Sequence, residues 1–75
     1  MEEQLIKEFR FQLGKEIKEV RKSRKMNQNE LAQRLGIDRS TISKIENGKF
    51  SVSVDYLVKL SLALDYEFSV VKKEN

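Results

Sequence analysis

The stretch from Gln28 to Gly48, QNELAQRLGIDRSTISKIENG, constrains the fold most, because it divides into two short amphipathic helices joined by a tight turn. In the first, Leu31, Ala32 and Leu35 take the i, i+1, i+4 spacing of one helix face. Gly36 then supplies a residue that adopts positive φ and ends that helix. Asn27 is placed to cap it, with Glu30 in its first turn, and Asp38 is placed to cap the next helix. Around that second helix, with Arg39 as zero, Ser43, Asn47, Ser40 and Lys44 fall at roughly 40°, 80°, 100° and 140°. Ile45 and Ile42 fall at roughly 240° and 300°, on the other side. One side therefore anchors to a core. The other presents a guanidinium, two hydroxyls, an amide and an ammonium, with no nucleophile beside a base. These are the groups that read base edges in a DNA major groove.

Charge placement points the same way. The chain carries 15 basic and 12 acidic side chains, net +3. Residues 21–49 hold eight basic residues (Arg21, Lys22, Arg24, Lys25, Arg34, Arg39, Lys44, Lys49) against three acidic ones (Glu30, Asp38, Glu46). The flanking segments 1–20 and 50–75 are each net −1. Positive charge gathered around the helix pair suits a polyanion, although a solvated surface accounts for it equally well.

Before the pair, Leu5, Ile6, Phe9, Leu13, Ile17 and Val20 share an arc of about 120° if residues 3–24 form one helix. Lys7, Lys15, Lys18 and Lys22 occupy the opposite face. Phe11 points away from the stripe, and Gly14 costs about 1 kcal/mol in a helix interior, so a break near residues 11–14 would leave the first ten residues as an arm. The run from Arg21 to Lys25 closes the helix, where cations favour the helix dipole.

After the pair, Gly48, Lys49 and Phe50 make a loop, and Ser53 is placed to cap a helix from about Val54 to Leu64. Its apolar residues Val54, Leu57, Val58, Leu60, Leu62, Ala63 and Leu64 cover nearly the whole circumference. Such a helix needs burial on more than one side, which in a chain of 75 residues suggests a second copy. The tail from Tyr66 to Val71 is rich in aromatic and β-branched residues and reads as a single strand. Pairing with the same strand of a second copy about a two-fold axis would satisfy its backbone. An apolar tail folded over the core is the other reading.

Other classes are poorly supported. The absence of cysteine and histidine removes disulfides and the usual zinc ligands. No glycine-rich phosphate loop is present, and so short a chain leaves no room for a substrate cavity. No catalytic residue, metal or cofactor is expected. No apolar run approaches the roughly 20 residues of a membrane span. The acidic N-terminus does not resemble a signal peptide, so a cytoplasmic location is expected.

From Leu13 to Leu64 the chain resembles the Xre family of helix-turn-helix DNA-binding proteins, which includes the lambda and 434 phage repressors and Cro. The resemblance rests on Leu13-Gly14, Ile17, Arg21, the run Asn27 to Ala32, Leu35-Gly36-Ile37, the run Arg39 to Gly48, and Leu57, Leu60 and Ala63-Leu64. It implies an all-α domain of four to five helices, here with a short C-terminal strand. Residues 1–12 would be an extension of the first helix or an arm, 13–64 the DNA-binding domain, and 65–75 a dimerisation element. By the same resemblance Arg39, Ser40, Ser43 and Lys44 sit where family members read bases. Gln28, Asn47 and Lys49 sit at backbone-contacting positions, joined by Asn27, Asn29 and Thr41. Arg21 and Glu46 resemble an internal ion pair between the first and third helices. Tyr66, Phe68 and Val70, with Leu62, would join two copies.

The expected partner is duplex DNA, bound by a homodimer at a near-palindrome whose half-sites lie about 34 Å apart. At a promoter, such a bacterial or phage protein on the nucleoid would block or recruit polymerase, repression being the commoner outcome. Two departures stand out. The loop before the fourth helix lacks the family's common proline, and the fifth helix is replaced by the strand-like tail. That tail resembles antitoxins of toxin–antitoxin pairs, so a toxin protein is an alternative partner.

Overall fold

The computed structural model describes residues 1–68. Four helices follow one another: α1 (Glu2–Ser23), α2 (Gln28–Leu35), α3 (Arg39–Glu46) and α4 (Val54–Leu64). Among the described residues there is no strand.

The break considered near residues 11–14 is absent, and α1 runs unbroken for 22 residues. Gly14 is inside it because α1 lies directly against the end of α3. A Cβ built at Gly14 would stand 2.3 Å from Ile45 O and 2.7 Å from Glu46 O. A second close approach lies farther along, where a Cβ on Gly48 would meet Phe11 Cα at 2.9 Å. Gly48 also has φ +73°, a left-handed conformation that favours glycine. The two glycines therefore set the spacing between α1 and the end of α3.

Local signals account for most other boundaries. Asn27 Oδ1 accepts from Glu30 N at 2.8 Å, and Asn27 N donates to Glu30 Oε1 at 2.9 Å, a reciprocal cap for α2. Gly36 closes α2 with φ 71° and ψ 34°. Ser53 Oγ accepts from Tyr56 N at 3.1 Å and opens α4. Asp38 is the exception: it stands at the N-cap of α3, but its side chain makes no capping bond. Its carbonyl alone begins the helix, accepting from Thr41 N at 3.0 Å.

The core joins all four helices and the α1–α2 turn: Ile17, Val20, Met26, Leu31, Ala32, Leu35, Ile42, Ile45, Leu60 and Leu64. Each large aliphatic here contributes about 1.5–3 kcal/mol of burial. The α1 stripe reaches this core only through Leu13, Ile17 and Val20. Leu5, Ile6 and Phe9 remain exposed, because the first turns of α1 extend past the rest of the domain. Similarly, α4 buries Leu60 and Leu64 while Val54, Val58 and Leu62 face solvent.

The start of the tail departs from the strand expected there. Tyr66 and Phe68 pack back on the core in an edge-to-face pair with centroids 4.9 Å apart. Both backbone groups of Tyr66 are occupied: its N–H donates to Ser61 O at 3.1 Å, and its carbonyl accepts from Ser61 Oγ at 2.6 Å. The single backbone donor of Tyr66 is therefore not left for a ladder. Tyr66 OH also donates to Glu16 Oε2 at 2.6 Å. That hydrogen bond, with desolvation and the Glu16 charge, raises the phenol pKa above its ordinary value. Val70 and the remainder of the expected strand lie outside the described residues.

Candidate nucleic-acid interface

The face that could meet DNA is built on α3, and the packing of α3 decides which residues compose it. Ile42 and Ile45 are 0% and 1% exposed, held against α1 and α2. Because helix side chains recur at about 100° per residue, their burial turns Arg39, Ser40 and Lys44 outward. Thr41 and Ser43 are half-buried at the edges of that face. Asn47 is exposed just beyond α3, and its Nδ2 donates back to Ser43 O at 2.9 Å. Lys49 follows, exposed, after the Gly48 turn.

At the other edge stands the N-terminus of α2. Asn27 and Asn29 are exposed there, with Asn27 Oδ1 engaged in its cap. Gln28 is half-buried and donates from Nε2 to Glu46 Oε1 at 3.0 Å. This bond leaves the second Nε2 proton of Gln28 and its carbonyl oxygen for other partners. Glu46 in turn is clamped by Arg21, with Nε to Oε2 at 2.6 Å and Nη2 to Oε1 at 3.1 Å. Arg21 Nη1 donates to Met26 O at 2.7 Å. The Glu46 carboxylate, on the edge of α3 beside Gln28, is thus compensated internally by Arg21.

Two arginines of the basic central segment do something the residue pattern does not signal. Arg24 donates from Nε to Leu64 O at 2.8 Å and from Nη2 to Asp65 O at 2.9 Å. Arg34 Nη1 donates to Ala63 O at 3.3 Å. Both serve the open carbonyls and negative dipole end of α4. Their acceptors are about 30–40 positions away and lie on backbone, so no motif marks them. Arg21 is the buried cation of the segment; Arg24 and Arg34 stay exposed beside the end of α4, and Lys22, Lys25, Arg39, Lys44 and Lys49 carry the rest of its exposed positive charge.

Two short helices, crossed over a shared aliphatic seam with the second offering a polar, cationic side, define a helix-turn-helix DNA-binding domain. The chain belongs to the Xre-like helix-turn-helix family, whose profile matches residues 17–71. It is 35% identical over 60 residues to the ImmF control region 10 kDa protein of Bacillus phage phi105, covering 80% of this chain and 67% of that protein. It is 32% identical over 74 residues to the control protein C.MunI of a Mycoplasma species, covering 92% of this chain and all of that one. The crystal structure of the restriction-modification controller protein C.AhdI from Aeromonas hydrophila superposes with a TM-score of 0.78 at 33% identity, covering 81% of this chain and 88% of that one. Antitoxin PezA of Streptococcus pneumoniae is 42% identical over 45 residues, but this chain spans only 28% of its length. The class is that of DNA-binding transcription regulators.

Proposed function

We propose that this chain acts as a homodimer on a near-palindromic operator, placing α3 of each copy in a major groove and repressing the promoter there. The observation that carries this reading is the division of α3, with Ile42 and Ile45 in the core and Arg39, Ser40 and Lys44 in solvent. Arg39 and Lys44 favour guanine, while Ser40 and Ser43 accept several bases. Gln28, Asn29, Thr41, Asn47 and Lys49, with Asn27 beside its cap, surround them at backbone-contacting positions and set register without reading sequence. The dimer is supported by the solvent-facing row Val54, Val58 and Leu62 on α4, at successive i+4 positions. Residues 13–64 serve as the DNA-binding unit and the remainder as accessory segments. The chain is not an enzyme, and it works in the cytoplasm on the nucleoid.

Selection from a pool of random duplexes tests the reading. The expected product is a pair of inverted half-sites one helical turn apart. No complex with any duplex at low ionic strength overturns it. A second reading, an antitoxin that also regulates its own promoter, is supported by the 42% identity to Antitoxin PezA. Co-purification with the product of an adjacent gene would establish that reading.

A further inference from the structure

One sequence feature has no role in the α3 face: the lysines of α1. Measured around α1 from Gly14, at about 100° per residue, Lys7 falls at roughly 20°, Lys18 at 40°, Lys22 at 80° and Lys15 at 100°. Gly14 points at the carbonyls of Ile45 and Glu46, so its direction marks where α3 ends against α1. Ile17 and Leu13, the core side of α1, fall at roughly −60° and −100°. The end of α3 therefore lies on α1 between the core on one side and the four lysines on the other. Asn47 and Lys49 emerge at that same end, with Gly48 against the backbone of Arg10 and Phe11. The row from Lys7 to Lys22 is about 22 Å long.

These lysines are free to act. All four are exposed, and the ion pair among the described residues is Arg21–Glu46, which uses none of them. The acids of α1 do not occupy the row. Glu8 and Glu19 fall beyond it at roughly 120° and 140°. Glu16 is bonded to Tyr66, and Glu2 and Glu3 belong to the first turn.

We infer that the Lys7–Lys15–Lys18–Lys22 edge of α1 is a second DNA-binding surface, which grips the phosphates beside the groove occupied by α3. This rests on the DNA-binding reading above. The occupant is duplex backbone: the row adjoins the proposed phosphate contacts at Asn47 and Lys49, and it offers unpaired cations at intervals along a straight rod. Such contacts carry no sequence information and act through counterion release.

The test is a salt titration of affinity for the selected operator and for a random duplex. It compares the wild-type chain with the K7Q/K15Q/K18Q/K22Q variant, whose fold is checked by circular dichroism. Every phosphate that a lysine no longer neutralises should make the slope of log K against log salt shallower by about 0.9. We expect the variant's slope to be shallower by about two units or more per protomer, and its affinity to fall on both duplexes by the same factor. Lys59→Gln, on α4, should change neither. Single variants Lys18→Gln and Lys22→Gln should each remove about one unit. A folded quadruple variant with wild-type slope and affinity overturns the inference while leaving the operator reading intact. A wild-type chain that binds no duplex overturns both.

Discussion

Arg21 Nε lies 2.6 Å from Glu46 Oε2, and the two side chains are 8% and 2% exposed, which makes this a buried ion pair joining α1 to α3. Every remaining bond around it is arranged to satisfy the pair: Nη2 to the second carboxylate oxygen, Nη1 to Met26 O, and Gln28 Nε2 to Glu46. Removing one member leaves the other charged and buried, which costs about 3–5 kcal/mol. Glu46→Ala should therefore lose most of the stability of so small a domain. The double variant Arg21→Met/Glu46→Leu should recover much of that loss, because no unpaired charge remains. Urea unfolding followed by circular dichroism compares the two.

Gly14→Ala separates helix propensity from packing. Propensity alone predicts a gain of about 1 kcal/mol from alanine within a helix. The 2.3 Å approach of the added Cβ to Ile45 O predicts a loss, because backbone on both sides must move apart. The expected result is destabilisation of about 1–3 kcal/mol. A thermal melt decides the sign.

Arg39→Ala removes an exposed guanidinium from the first turn of α3. It should cost about 1–3 kcal/mol at the selected operator and much less on random DNA. Equal losses on both duplexes, read by fluorescence anisotropy, would transfer Arg39 to a phosphate-binding role.

Tyr66 gives a pH dependence of definite sign. Its folded-state pKa lies above 10.0, chiefly because the phenol donates to Glu16. A group whose pKa is raised by folding stabilises fully below its unfolded value, and that stabilisation disappears as pH rises through the folded value. The wild-type chain should therefore lose stability above about pH 10 more steeply than Tyr66→Phe. Urea midpoints on either side of that pH measure the difference.

Val58→Glu/Leu62→Glu places charge on the solvent-facing side of α4, where both residues are more than half exposed. Such a change should leave the folding of one chain nearly untouched while repelling a second copy. Under the proposed dimer, sedimentation should report dimers for the wild-type chain and monomers for the variant. Removal of residues 66–75 provides a complementary measurement: a dimer that survives it depends on α4 alone.

The sequence by itself determined α2, α3 and α4 and the two sides of α3. Asn27, Gly36 and Ser53 act through bonds or backbone angles within a few residues, and the Ile42–Ile45 spacing selects the buried side. Those signals are local, so a linear pattern carries them. Tertiary structure decided what depends on distant backbone. It keeps Gly14 inside an unbroken α1, directs Arg24 and Arg34 to the last carbonyls of α4, and occupies the backbone of Tyr66 through Ser61. The apolar content of that tail is the same for a strand as for a segment packed on a core. Only the available hydrogen-bond partners separate the two, and those are set by where α4 ends.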